Sequence, residues 1–241
     1  MKRVLLLVVV VFLSFEYCFS RDKDYSYYGV SLDLGLSFID NGCGFSLTDD
    51  DIEVLPMGGF DIGFYMQQQL YKRLVLVSGF KYQFSGVGES SDNPFVHMED
   101  DAKDMNLINN AFVIPIKIGF STPLPHNWFF SVYAGPSLDF NFVTTEKYKY
   151  RDGTYKKYDW VNGKYRTNRD GQKIRETSSE HKYLKMFDVP IGFGLTFRRK
   201  FIGIKLEYEY GLIDRYKGKF EDIDYAQWHS HQASLGVLFV F

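Results

Sequence analysis

The sequence predicts an all-β chain: an eight-stranded antiparallel up-and-down transmembrane β-barrel with long extracellular loops and short periplasmic turns. Three observations predict it. Apolar and polar residues alternate over eight segments, the period-two signature of strands. The gaps between these segments are short and long in turn, which puts all tight turns at one end of a barrel. No run of 18 or more apolar residues occurs after the first twenty residues, so no helix is long enough to cross a bilayer.

The N-terminus, MKRVLLLVVVVFLSFEYCFS, reads as an export leader over residues 1–20. Lys2 and Arg3 form a basic start, and Val4 to Phe15 form an apolar stretch too short to span a bilayer. Cys18 and Ser20 occupy the small-residue positions of a cleavage site after Ser20. The bulky and polar Phe15, Glu16 and Tyr17 argue against acylation of Cys18. Once the leader is removed, Cys43 is the lone cysteine, so the fold must do without an internal disulfide.

Strand one, about 28–38, puts Val30, Leu32, Leu34, Leu36 and Phe38 on one face, with Ser31, Asp33, Gly35 and Ser37 on the other. Strand two, about 57–67, sets Phe60, Ile62 and Phe64 against Asp61 and Gly63. Strand three, about 74–84, sets Leu76, Phe80 and Tyr82 against Gly79, Lys81 and Gln83. Strand four, about 110–120, sets Phe112, Ile114, Ile116 and Ile118 against Lys117 and Gly119. Strand five, about 129–142, sets Val132, Leu138 and Phe140 against Ser131, Ser137, Asp139 and Asn141. Strand six, about 187–198, sets Ile191, Phe193 and Leu195 against Asp188, Gly192, Gly194 and Arg198. Strand seven, about 201–212, sets Ile204, Leu206 and Tyr208 against Lys205, Glu207 and Glu209. Strand eight, about 231–241, sets Leu235, Val237, Phe239 and Phe241 against Ser234 and Gly236. Pro115, Pro136 and Pro190 interrupt this pattern, and bulges or strand ends are expected there.

Volume decides which face points inward. The apolar face carries far more bulk than the bore of an eight-stranded barrel can hold, whereas the polar face is also the small one, rich in Gly and Ser. The apolar face must therefore meet lipid. The lumen then receives Asp33, Asp61, Asp139, Asp188, Glu207 and Glu209 together with Lys81, Lys117, Arg198 and Lys205. Charges in a narrow, water-poor space must pair, so a structural plug is expected. The narrow bore disfavours an ion or proton path.

Ile114, Pro115 and Lys117, then Gly135 and Pro136, then Gly192 and Gly194, then Tyr208 to Leu212 form a familiar series. Over roughly residues 26–241 it resembles the PorT-like outer-membrane β-barrel family of Bacteroides-type bacteria. The resemblance implies outer-membrane residence and an association with protein secretion for one member, and it brings no catalytic residues. The insert at 143–186 departs from the compact pattern.

The loops sort their charge. Residues 39–55 hold five acids and no base, and residues 85–108 hold six acids and Lys103. Residues 143–186 hold twelve bases and six acids. Within that loop Asp152-Gly153, Asn162-Gly163 and Asp170-Gly171 are hairpin signals. Strands five and six are expected to continue upward there with an added hairpin between them. Lys149, Tyr150, Arg151, Tyr155, Trp160, Tyr165 and Arg166 offer a basic and aromatic surface for lipopolysaccharide phosphates, glycans or a partner protein. A further option is closure of the basic loop onto the acidic ones.

Asp49, Asp50, Asp51 and Glu53 are oxygen donors without the spacing of a calcium loop, so they read as a solvated acidic loop and no metal is expected. His229 and His231 share a strand face, but Ser230 points away from both, so no nucleophile–base pair forms there. The net charge of −2 gives no basis for nucleic-acid binding. The sequence thus points to an integral outer-membrane protein of a Gram-negative cell, without catalysis or cofactor, acting through its loops or in service of a secretion apparatus. Its partners would be outer-membrane lipid and lipopolysaccharide, and the barrel-assembly machinery during biogenesis. Phe239 and Phe241 resemble the terminal aromatic signal that this machinery reads.

Overall fold

The computed structural model describes residues 25–40, 57–90, 102–168, 172–178, 182–215 and 229–241. The leader, Cys43, the Asp49–Glu53 cluster and the Asp170-Gly171 hairpin signal lie outside the described residues.

Twelve strands are present among the described residues: β1 (Tyr27–Asp40), β2 (Met57–Tyr71), β3 (Leu74–Ser90), β4 (Ala102–Leu124), β5 (Trp128–Tyr150), β6 (Tyr155–Asp159), β7 (Lys164–Thr167), β8 (Ile174–Thr177), β9 (Phe187–Asp188), β10 (Pro190–Arg199), β11 (Ile202–Gly211) and β12 (His229–Val240). β1 to β5 pair in succession, β9 and β10 together pair with β5, and β11 and β12 follow. β12 then pairs with β1 from Gly29↔Val240 to Asp40↔His229. The result is a closed antiparallel ring through eight wall positions, so no ring edge is left for unpaired backbone in lipid.

The wall is apolar outside and polar inside. Leu34 is 72% exposed and Ile118 56%, whereas Asp33 and Lys117 are 0% exposed. A water-soluble barrel has the reverse arrangement, so this inversion requires lipid around the wall. Three short turns join the strands at one end. Among the described residues, the four non-glycine residues with positive φ sit in them: Lys72, His126, Asn127 and Lys200. Such left-handed turns match the twist of tightly joined strands.

The other end departs from the expected layout. A strand needs about ten residues to cross the membrane, yet β4 and β5 each have 23. Their upper parts pair with one another from Ala102↔Tyr150 down to Asn110↔Val143 and stand above the bilayer. β6 then pairs with upper β5, β7 with β6, and β8 with β7. So strand five continues upward as expected, but its companion is β4 rather than strand six. Strand six is interrupted at Val189 and contributes nothing to this outer sheet. Residues 143–186, read as a long loop, are in good part strand. Two of the hairpin signals are realised, with Gly153 (φ 84°) between β5 and β6 and Gly163 (φ 67°) between β6 and β7.

The prolines behave differently from one another. Pro190 opens β10, as a strand end. Pro115 and Pro136 sit within ladders of unshifted register, without the expected bulge. Instead the β4–β5 pairing lapses between Pro115↔Ser137 and Ile118↔Ala134. Gly135 takes up the distortion with φ 154°, where a Cβ would fall 2.7 Å from the Ile116 carbonyl oxygen.

Candidate functional site

Two regions carry the charged chemistry: the lumen and the outer sheet. In the middle of the lumen, inward positions of β1, β2, β3, β4 and β11 converge. Lys81 Nζ lies 3.4 Å from Glu207, 3.5 Å from Glu209 and 3.9 Å from Asp61. Lys117 Nζ lies 2.8 Å from Glu209 and 3.4 Å from Glu207. Lys205 Nζ lies 2.8 Å from Asp33 and 3.1 Å from Glu207. Ser137 donates to Glu209 (2.6 Å) and Gln232 donates to Asp61 (2.9 Å). All seven charged groups are buried. In that low-dielectric setting each charge is stabilised by its partners rather than by water.

Gly236 makes room for this network. A Cβ there would fall 1.6 Å from Asp33 Oδ1, so only glycine lets β12 pass the carboxylate. Below the network, Tyr27, Tyr65, Val75, Val77, Tyr133 and Leu238 fill the periplasmic end of the bore. The lumen is therefore closed by an apolar layer and an ionic layer.

The remaining three charges expected in the lumen lie outside this network. Arg198 sits at the periplasmic mouth, its guanidinium over the rings of Tyr27 (4.3 Å) and Phe129 (4.7 Å). Asp139 and Asp188 lie nearer the outer end. Asp188 accepts from the backbone N–H of Val189 (2.7 Å) and Ile213 (3.1 Å) and from Ser230 Oγ (3.0 Å).

Arg215 was not singled out by the sequence, and it closes the outer end. Only 2% exposed, its Nε donates to the Lys185 carbonyl (3.2 Å), while the Lys185 N–H donates to the Arg215 carbonyl (2.6 Å). Burial pulls its guanidinium below the ordinary range, and the charges of Asp139 and Asp188 oppose that shift. Its sequence signal is faint: an arginine beyond strand seven, off any period. The cavity lined by Arg215, Asp139, Asn141 and Ser85 measures about 30 Å³. That is room for a water or two, far below the roughly 300 Å³ or more of a ligand pocket.

The outer sheet separates what the sequence had grouped. Pairing sets Lys147 opposite Lys157, Lys157 opposite Arg166, and Arg166 opposite Arg175. Opposite residues share a face, so four cations stand in one row across four strands. Lys149, Tyr155 and Lys164 lie on the same face by alternation. Lys149 lies 4.0 Å from Asp104, and Lys147 Nζ stands 5.8 Å from the Tyr155 ring. Tyr150, Trp160 and Tyr165 belong to the opposite face. There Tyr158 stacks on Trp160 (4.9 Å) and lies 4.9 Å from Tyr165. Arg151 occupies the turn after β5 and is exposed. The result is a mainly basic face that also carries Tyr155, and an opposite face rich in aromatics where Lys156 Nζ stands 5.8 Å from the Tyr150 ring.

Elsewhere, His231 Nδ1 meets the Tyr208 hydroxyl (2.8 Å) and His229 Nδ1 meets the Gly211 carbonyl (3.0 Å). Ser230, on the inward face, is held by Asp188. At the other end of β12, Phe239 and Phe241 are exposed, and the Phe241 N–H donates to the Tyr28 carbonyl (3.0 Å).

No curated protein matches the chain. Among solved structures, the chain is similar to the attachment invasion locus protein Ail of Yersinia pestis, in complex with the heparin analogue sucrose octasulfate. Identity there is 13%, over 90% of this chain and 99% of that one, with a TM-score of 0.42. Neisserial surface protein A is 10% identical, over 89% of this chain and 97% of that one, with a TM-score of 0.38. The N-terminal β-barrel domain of OprF from Pseudomonas aeruginosa is 15% identical, over 88% and 97%, with a TM-score of 0.26. The sequence profile of the outer membrane protein beta-barrel domain matches residues 14–217, most of the chain. With its inverted wall, closed ring and plugged bore, the chain belongs to the outer membrane protein beta-barrel domain family and is an integral protein of the Gram-negative outer membrane.

Proposed function

We propose that the protein is a non-catalytic surface-binding barrel that meets its partner through the outer sheet of upper β4, upper β5 and β6 to β8. One contrast carries this reading. The seven charges of the lumen network are buried and matched to one another, while the outer sheet displays a row of cations in which Lys147, Arg166 and Arg175 are exposed and Lys157 is half-buried. Deleting residues 146–182 tests it. The shortened protein should still run differently boiled and unboiled on a denaturing gel, as a folded barrel does. It should no longer retain the surface component that the intact protein retains from solubilised outer membranes. A folded deletion that retains the same component would overturn the reading.

The ion-paired bore makes the lumen a structural plug rather than a conduit. Phe239 and Phe241 serve as the terminal aromatics read during membrane assembly, supported by their exposure beside the β1–β12 seam. Removing Phe241 should slow insertion into outer membranes without changing what the outer sheet binds. Normal insertion would remove that role. The finer resemblance, to PorT-like barrels, would add service to a secretion apparatus. Its mark would be exported proteins left unprocessed in the periplasm of a deletion strain.

A further inference from the structure

Resting on the surface-binding reading above, we propose that the row Lys147–Lys157–Arg166–Arg175 binds the phosphate groups of a glycolipid in the outer leaflet that the barrel itself spans. Three observations lead there.

The first is the row itself. Like charges directly opposite one another destabilise a sheet, and this row has three such pairs in succession. A face selected only for solubility would interleave acids. Here the acids on the same face are already engaged: Asp104 beside Lys149, and Asp159 with the Asn162 side chain at 2.9 Å. None of the four cations has an ion-pair partner among the described residues. Phosphate supplies the missing charge, and the planar guanidinium groups of Arg166 and Arg175 suit its oxygens.

The second is direction. On β4 the outward side chains step up from Phe112 through Asn110 and Ile108 to Asn106, and Asn106 pairs with Lys147. Phe112 belongs to the lipid-facing wall, so the basic face continues that wall upward and looks sideways over the leaflet. A bulge makes this possible. Asn141 pairs with Ala111 but Val143 pairs with Asn110, so Phe142 is an extra residue on β5. Below the bulge the odd residues of β5 point into the lumen, and above it Lys147 and Lys149 point outward. Without that extra residue the cations would face the lumen side.

The third is height. The Phe80, Tyr82 and Phe142 rings gather around that of Phe112 and mark the outer aromatic girdle. Six residues of β4 separate Phe112 from Asn106, about 20 Å along a strand and about 15 Å of height at the usual tilt. A phospholipid headgroup layer is only about 5–8 Å deep per leaflet. The row stands above that layer, level with the sugars of a phosphorylated glycolipid.

The test uses the full chain in discs of neutral phospholipid, titrated with purified lipopolysaccharide, with enzymatically dephosphorylated lipopolysaccharide, and with soluble polyphosphate. The variant replaces Lys147, Lys157, Arg166 and Arg175 together by Gln. A second variant, K147R/K157R, keeps the charge, and gel mobility verifies that both are folded. The intact protein should bind the phosphorylated lipid on the order of ten-fold more tightly than the dephosphorylated one. The Gln variant should lose that preference, and K147R/K157R should keep it. An unchanged preference in the Gln variant overturns the assignment. If the Gln variant loses polyphosphate binding but keeps lipopolysaccharide binding, the assignment to lipid is wrong while the surface-binding reading stands. If deletion of residues 146–182 leaves every binding arm unchanged, the surface-binding reading falls with it.

Discussion

Lysine occurs in two opposite settings in this barrel. In the lumen, Lys81, Lys117 and Lys205 are buried, and each lies within reach of two or three carboxylates. On the outer sheet, Lys147 and Lys157 have cations for cross-strand neighbours. The difference follows from the surrounding medium. A buried charge must be matched inside the fold, because no water stabilises it. An exposed charge can stay unmatched at little cost. Pairing inside therefore reports on architecture, whereas an unmatched row outside leaves charge available to something else.

The comparison can be broken from either side. The largest effect should come from Lys117→Met, which leaves Glu207 and Glu209 short of a cation in the bore. Breaking a buried pair from one side costs about 3–5 kcal/mol. Urea unfolding of the variant in lipid vesicles measures it, and a loss under about 1 kcal/mol would show that the lumen charges are not a stabilising plug. Next comes Gly236→Ala. Its methyl group would collide with Asp33 and push that carboxylate off Lys205. Overpacking of this kind costs about 1–3 kcal/mol, read in the same unfolding experiment. Smallest is Arg166→Gln on the outer sheet. Removing one member of the like-charge row should change stability by about 0.5 kcal/mol or less, toward greater stability. A clear destabilisation would mean that Arg166 is part of the structure and not spare charge. Salt sharpens the contrast, because it screens the exposed row far more than the buried network.

The wall was legible in the sequence because lipid enforces a strict rule. With lipid on one side and a narrow bore on the other, every second residue of a strand is constrained, and period two follows. Asp33, Asp61, Lys81, Lys117, Lys205, Glu207 and Glu209 were thus assigned to the lumen, where the fold brings them together. Above the membrane that rule lapses. The segment Ala102–Asn109 stands above the membrane, so it carries no apolar period and does not read as strand. The bulge at Phe142 further reverses parity. Its trace in the sequence is the adjacent Phe142-Val143 and Thr144-Thr145 pairs, where alternation stops. A strictly alternating reading passes over that trace and joins cations and aromatics of the same loop into one surface. Arg215 shows another limit. Its place depends on backbone pairing with Lys185, a contact between two irregular segments that no local pattern announces.

The seam between β1 and β12 sets a schedule for the molecule. It joins positions from opposite ends of the chain, such as Gly29 and Val240, and contacts so remote in sequence form slowly. In the outer sheet, β6 to β8 are built from neighbours, with Asp159 opposite Lys164 across a short turn, and hairpins of that kind form in microseconds. Sequence separation alone therefore favours formation of the β6–β8 hairpins before closure of the β1–β12 seam.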